Sequence, residues 1–442
     1  MRKLIPEKNQ SSSLRSYLIR GAFGSFVLKL TQTTAGFLLS VFLARRLGSE
    51  GYGTYSFCIS IVTLLSIPAM LGCQNLLVKE VASYCAQGKF AFLCGLLIRI
   101  RQASLVSSFF ISFCATVVAY RLIDSGPFRN VLLSAFCLVP LLSAMNLQNA
   151  ALRGLRHVFL GQISLSLMPL LLIAIIMFSY LITNFILTPI SVIWIHAITL
   201  LLLVLGIGRL LHLKLPKEIA HHVPAYETDR WVKSLLPFLF TEMMLTCNNE
   251  ASVILIGIIQ NTDSVGLFRV AQRGSDLVHF GLLSINMAIA PTISELFAKG
   301  EINRLQNIIT KSTLLVTAFA LLTSLTLIFL GKWLIPFIFG EEYIQAYVPL
   351  VVLCFGQLFN ACMGSVGLIL NMIGMENFVT RGITIAAISN LFLNAILIPQ
   401  WGATGAAIAN SIALVVWNTL LATWLFKRSG IVSFVILPRF KP

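Results

Sequence analysis

The chain has 442 residues, 57% of them apolar and only 11% charged, with a mean hydropathy of +0.89. A soluble protein carries about a quarter charged residues, so this composition excludes a cytoplasmic enzyme, a secreted disulfide scaffold and a disordered tail, and marks a membrane protein. The net charge of +16 is better explained by basic residues at the cytoplasmic ends of membrane helices than by nucleic acid.

The first twenty residues are polar and basic. The apolar run that follows is too long for a signal peptide and lacks the small-residue cleavage pattern, so the first helix is expected to stay in the mature protein. Apolar runs of about 20 residues fall at 21–44, 55–78, 102–120, 131–151, 161–183, 189–211, 234–259, 266–290, 311–331, 346–371, 379–398 and 403–426, which predicts twelve spans. The stretch 88–101 ends in Arg99 and Arg101 and reads as an interfacial elbow helix before the third span. Connections are short. The longest, 212–232, is polar, and its His221 and His222 read as a solvated pair.

Charge placement tests the count. With the N-terminus inside, 24 of the 32 basic residues fall in cytoplasmic segments, five on the other side and three within spans. That asymmetry predicts both termini in the cytoplasm of a multi-pass cell-membrane protein. The nine cysteines lie mostly inside spans, with no Cys-x-x-Cys and no His at ligand spacing, and read as small core residues rather than metal ligands or disulfides.

Two echoes suggest an internal repeat. The turn ending in Gly53-Thr-Tyr55 recurs at Gly266-Leu-Phe268, an offset of 213, and Ala151-Leu-Arg-Gly154 recurs at Asn371-Met-Ile-Gly374, an offset of 220. Duplicated six-span halves follow, with an even number of spans each and hence a pseudo-two-fold axis along the membrane normal. The expected division is an N-lobe over 1–215, a cytoplasmic linker over 216–232 and a C-lobe over 233–442.

Four runs carry a family resemblance. They are Ala44-Arg-Arg-Leu-Gly48-Ser-Glu-Gly-Tyr-Gly53-Thr-Tyr55, Val265-Gly-Leu-Phe-Arg-Val-Ala-Gln-Arg273 leading to Ala290-Pro291, Ile335-Pro-Phe-Ile-Phe-Gly340 before Tyr343, and Ile398-Pro-Gln-Trp-Gly402-Ala-Thr-Gly405-Ala-Ala-Ile-Ala409. In order and spacing these resemble an O-antigen-type polysaccharide flippase of the multidrug/oligosaccharidyl-lipid/polysaccharide exporter superfamily. The resemblance implies an all-α membrane protein with two six-helix lobes around a central cavity. It further implies export of a lipid-diphosphate-linked oligosaccharide by alternating access, among membrane lipids and alongside other polysaccharide-assembly proteins.

Charged residues inside spans are costly and point to a polar cavity or a partner. At 100° per residue, the first span aligns Ser25, Lys29, Thr33, Gly36 and Ser40, with Gln32 beside them. Lys29 lies about 12 Å from the cytoplasmic end, too deep to snorkel, and reads as a cavity cation, while Gly36 and Ser40 read as helix-packing residues. The seventh span aligns Glu242, Thr246 and Asn249, with Glu250 about 80° away. The eighth gathers Arg269, Gln272, Arg273, Asp276 and His279 on one face. Depth arithmetic along these antiparallel helices sets Glu250 level with Arg269, and Glu242 level with Arg273 and Asp276.

Two readings fit these charges. In one they are structural ion pairs. In the other Lys29, Arg269 and Arg273 bind the substrate diphosphate, to which guanidinium forks are suited, and a carboxylate couples transport to H+ or Na+. His279 is either a hydrogen-bonded core residue or a proton relay. Pro68, Pro140, Pro169, Pro237 and Pro349 are candidate kinks.

No catalytic constellation stands out, and no Gly-x-x-x-x-Gly-Lys-Ser/Thr is present, so neither an enzyme nor an ATP-driven pump is expected and no cofactor is needed. The rivals are a cation-coupled multidrug exporter of the same superfamily and a membrane-embedded glycosyltransferase, ligase or polymerase of polysaccharide assembly. Short outer connections disfavour the second. An excess of cavity cations disfavours the first.

Overall fold

The computed structural model describes residues 8–183, 186–216, 218–219 and 222–435, with the side chains of 8–23, 25 and 183 excepted. Every regular element among them is helical: α1 (Lys8–Ala69), α2 (Cys73–Gln87), α3 (Phe90–Leu122), α4 (Pro127–Ala135), α5 (Leu138–Gly154), α6 (Leu160–Thr183), α7 (Pro189–Lys214), α8 (Thr228–Ile259), α9 (Thr262–Ala298), α10 (Ile302–Phe339), a 3-10 turn over Glu341–Ala346, α11 (Tyr347–Met363), α12 (Val366–Met372) and α13 (Glu376–Ser429). Apart from their end turns, helices satisfy their backbone groups internally, as a chain this apolar requires in lipid.

Ten helical stretches among the described residues are long and apolar enough to cross a membrane, against the twelve spans read from hydropathy. The difference lies in α1 and α13, with 62 and 54 residues. At 1.5 Å per residue each is roughly 80–90 Å long, far beyond a hydrocarbon core of about 30 Å. Each breaks once at a glycine outside the helical region, Gly48 (φ 73°) in α1 and Gly402 (φ 51°) in α13. A side chain at either position would meet the left-handed steric penalty that glycine avoids.

The elbow expected at 88–101 is instead continuous with the following span. Nothing between Leu96 and Leu122 breaks a helix, and Leu93, Leu96 and Ile100 share a buried face, so α3 runs unbroken for 33 residues. Of the five candidate kink prolines, Pro140 and Pro349 fall in the first turn of α5 and α11, where no intrahelical bond is lost; Pro169 and Pro237 lie inside α6 and α8, and Pro68 next to the end of α1. His222 stacks on Phe90 at 6.1 Å between centroids, and His221 lies outside the described residues.

The core is distributed unevenly. One large apolar cluster joins α1, α5 and α7 to α9, α10 and α11, and so ties the two halves of the chain together at the end where Gly48 lies. Toward the other end, marked by Gly72, the core splits into two separate clusters. One is built on α2, α3, α5 and the start of α8, the other on the end of α9, the start of α10, α12 and α13. Trp231, Leu235, Phe238 and Leu239 of α8 belong to the first of these, so the opening turns of α8 lean on the N-terminal half.

Backbone contacts mark the joined end. A Cβ built on Gly53 would lie 1.7 Å from the Thr262 carbonyl oxygen, and one on Gly266 would lie 2.3 Å from that of Ser49. The two glycines that echo each other in sequence therefore pack against each other's helices, at a distance only glycine permits. Arg45 adds a cap from across the halves. Its Nε donates to the Ile338 carbonyl at 2.7 Å and its Nη2 to that of Phe337, satisfying orphan acceptors in the last turn of α10. The buried Tyr343 hydroxyl donates to the Ala44 carbonyl at 3.2 Å.

Candidate functional site

Between the halves lies a cavity of about 480 Å³, reached by α1, α6, α7 and α9. The polar stripe of α1 faces it: Lys29, Gln32, Thr33, Gly36 and Ser40 all line it. Ser25 has no described side chain. Gly36 does not pack against a helix as expected, because nothing lies within 4 Å of where its Cβ would stand; it opens on the cavity instead. Ser40 bonds only its own helix, donating to the Gly36 carbonyl at 2.9 Å.

From α9, Arg269, Arg273, Asp276 and His279 reach the same space, spaced i, i+4, i+7 and i+10 along one helical face. The cavity therefore gathers Lys29, Arg269, Arg273, Asp276 and His279, which are 240 or more residues apart in part, and its ionised lining is three cations against one carboxylate.

The cations are not equivalent. Arg269 is engaged on all sides: it forms an ion pair with Glu250, donates to Ser60 Oγ at 2.5 Å and to Gln272 Oε1 at 2.8 Å. Both partners of that ion pair are largely buried, at 12% and 18% exposure. Since Ser60 sits on α1, the cluster also bridges the halves. Depth arithmetic had set Glu250 beside Arg269, and the two do meet.

Arg273 is freer. It reaches Asp276 at 3.5 Å, the outer limit of a hydrogen bond, and lies near the Tyr52 hydroxyl, while its Nε has no partner among the described residues. Its side chain remains 42% exposed, to the cavity. Lys29 donates to Gln32 Oε1 at 3.1 Å and lies within electrostatic reach of Asp276.

Glu242 does not join Arg273 and Asp276. Eight residues of helix turn it about 80° from Glu250, so when Glu250 faces α9, Glu242 faces α2 and accepts from Asn75 Nδ2 at 2.8 Å. That contact, with Gly72 packed on the Leu239 backbone, lies toward the end where the core divides.

His279 is wired into the C-terminal half. Its Nδ1 is 3.3 Å from Asn360 Nδ2, Asn360 Oδ1 accepts from Asn418 at 3.0 Å, and Gln357 Oε1 accepts from Asn360 Nδ2 at 3.2 Å and lies near His279. Beside α8, Asn394 donates to Ser252 Oγ at 3.1 Å and Asn390 to the Asn248 carbonyl at 3.1 Å, leaving Asn248 Oδ1 and Asn394 Oδ1 buried without a donor among the described residues.

Sequence reasoning passed over the opposite wall. Tyr55 and His196 are buried, line the cavity, and share a hydrogen bond at 3.1 Å. His196 is the one imidazole in a mainly aliphatic span, and that alone was a signal. Tyr52 and Tyr55 belong to a run first read only as a turn.

Set against known proteins, this geometry has clear relatives. Residues 237–396 match the MatE family model. The chain is 24% identical over 173 residues to the "Probable low-salt glycan biosynthesis flippase Agl15" of Haloferax volcanii, which is 39% of this chain and 37% of that protein. It is 25% identical over 126 residues to the "Inner membrane protein YghQ" of Escherichia coli, 28% of this chain and 35% of that one. The chain thus spans little more than a third of the length of these curated relatives. Among solved structures, a lipid II flippase MurJ in an inward closed conformation superposes with a TM-score of 0.70 at 15% identity, covering 91% of this chain and 86% of its own. An inward-facing multidrug resistance MATE family transporter of the MOP superfamily gives 0.69 at 14%, covering 90% and 96%. The fold is that of these transporters, and with its family model matched over residues 18–297, the chain belongs to the polysaccharide biosynthesis protein (Polysacc_synt) family.

Proposed function

We propose that this protein is a flippase that moves a lipid-diphosphate-linked oligosaccharide from the cytoplasmic to the outer leaflet of the cell membrane by alternating access. The observation that carries the reading is the cavity lining, where Arg273 presents an incompletely paired guanidinium and Lys29 lines the same space between the halves. A diphosphate entering a low-dielectric site must meet fixed cations, or it loses several kcal/mol of hydration per charge. Arg269 is already neutralised by Glu250 and acts as the post that holds α9 in place. Arg273 and Lys29 are then the substrate cations.

A volume of about 480 Å³ suits a small head group and falls far short of a lipid-linked oligosaccharide. The halves must part for cargo to pass. The Gly48 end is assigned to the outside and both termini to the cytoplasm, by the charge asymmetry, so the joined core is the outer closure and the divided core faces the cytoplasm. The linker over 216–232 connects the two lobes along the chain. Coupling runs on H+ through His279 and its amide chain, or on Na+.

The MatE match favours a second reading, a cation-coupled drug exporter. A cationic drug would prefer carboxylates, and Asp276 is the only one in the described lining. The two readings separate on the purified protein: an isoprenyl diphosphate should raise its melting temperature more than the matching isoprenyl alcohol does. Equal shifts, with a larger one from a lipophilic cation, would overturn the flippase reading.

A further inference from the structure

A second pocket, separate from the central cavity, opens among α1, α6 and α7 at the Gly48 end. Its volume is about 350 Å³, and its lining is apolar on most sides (Phe42, Ile176, Leu187, Ile195) with Arg46 and Tyr180 at one edge. The Arg46 guanidinium lies over the Tyr180 ring, 5.1 Å from its centroid. A ring beneath the guanidinium occupies its face and leaves its N–H edge directed outward.

Its neighbour Arg45 spends its donors on the carbonyls of Ile338 and Phe337. Arg129 also lies over a tyrosine ring, that of Tyr120 at 5.0 Å, but it donates to the Ile123 carbonyl at 3.5 Å and lines no part of this pocket. Arg46 forms no ion pair or hydrogen bond with any described residue. It also sits two residues from the helix break at Gly48, at the edge of the apolar run 21–44, where a phosphate of the adjoining leaflet would lie. A fixed cation, five unspent donors and an apolar trough beneath them match one class of ligand: a phosphodiester attached to an acyl chain.

We propose that Arg46 and Tyr180 form a phospholipid site on the N-terminal half. The lipid phosphodiester accepts from the Arg46 edge and one acyl chain fills the trough between α1, α6 and α7. The site recognises phosphate rather than net charge, so phosphatidylglycerol and phosphatidylcholine both fit. A glycolipid with the same chains and no phosphate does not.

The test is native mass spectrometry of the purified full chain titrated with phosphatidylglycerol, phosphatidylcholine, a galactosyl diglyceride and an isoprenyl diphosphate. The wild-type protein should retain one phospholipid of either kind at least about tenfold more tightly than the galactolipid, the size expected of a charge-assisted contact. Arg46→Ala should remove that preference, and Arg46→Lys should keep part of it. Met177→Trp fills the trough from an exposed position while leaving Arg46 in place, and should weaken retention as well. Arg121→Ala, which removes an exposed cation of the same end outside the pocket, should change nothing. Equal retention by Arg46→Ala, an equal loss in Arg121→Ala, or equal binding of the galactolipid would each overturn the site. Retention of the isoprenyl diphosphate that Arg46→Ala abolishes, with no preference for phospholipid, would reassign the pocket to the cargo and overturn the phospholipid.

Discussion

The contact of Gly53 with Gly266 gives the sharpest handle on how the halves part. A Cβ on Gly53 would stand 1.7 Å from the Thr262 carbonyl oxygen, whereas side-chain carbons essentially never come nearer than 3.0 Å, so Gly53→Ala requires α1 and α9 to separate by more than 1 Å. The obstacle is backbone, which cannot swing aside like a long side chain. Overpacking of this kind costs about 1–3 kcal/mol. The cost falls only on the state in which the Gly48 end is joined, so it shifts the equilibrium toward the parted state by roughly 5- to 150-fold. Spin labels at Ser125 and Glu341, exposed positions of the two halves at that end, would report it as growth of a longer distance in pulsed electron–electron resonance. Gly266→Ala should act in the same direction. The double variant should add less than the sum, since helices already apart no longer clash. A distance distribution for folded Gly53→Ala that matches wild type would refute the reasoning.

Three further outcomes follow from the same structure. Glu250→Gln leaves Arg269 buried without its counter-charge, a loss of about 3–5 kcal/mol, and should lower membrane abundance and melting temperature; Arg269→Gln added to it should recover much of the loss, seen by fluorescence-detected size exclusion. Glu242→Gln should cost less than Glu250→Gln by the same assay, because Asn75 can bond an amide as well as a carboxylate and the Arg153 cation facing Glu242 makes no ion pair with it. In a cysteine-free background, cysteine at Ser125 should react with an impermeant maleimide from outside and cysteine at Ala225 only from the cytoplasm; matching accessibility at the two would break the assignment of the Gly48 end.

How far the sequence reached is clearest at particular residues. The pairing of Glu250 with Arg269 was legible because depth along two antiparallel helices follows from a fixed rise per residue. Glu242 was misplaced because the same arithmetic says nothing of azimuth, which the packing of α2 on α8 decides. The stripe on α1 was legible as polar, yet Gly36 was read as packing, since a missing side chain looks the same whether it admits a neighbouring helix or a cavity. The echo of Gly53 at Gly266 was visible as a repeat. That the two copies touch was not, because a repeat fixes how halves resemble each other and leaves open where they meet. Hydropathy found the apolar segments, but Gly48 and Gly402 let helix run through the turns, so helix count and span count part company. His196 and the tyrosines opposite α9 were missed because formal charge was used as the marker of a cavity.

The central claim is that Arg273 binds the diphosphate of a lipid-linked cargo, and export in intact cells, scaled to membrane protein level, tests it most directly. Arg273→Ala should abolish export at normal abundance, and Arg273→Lys should restore it in part, since lysine keeps the charge and loses the bidentate fork. Asp276→Asn in the Arg273→Ala background should not rescue export if substrate is the partner. Export by Arg273→Ala at the wild-type rate, or its rescue by Asp276→Asn, would contradict the account.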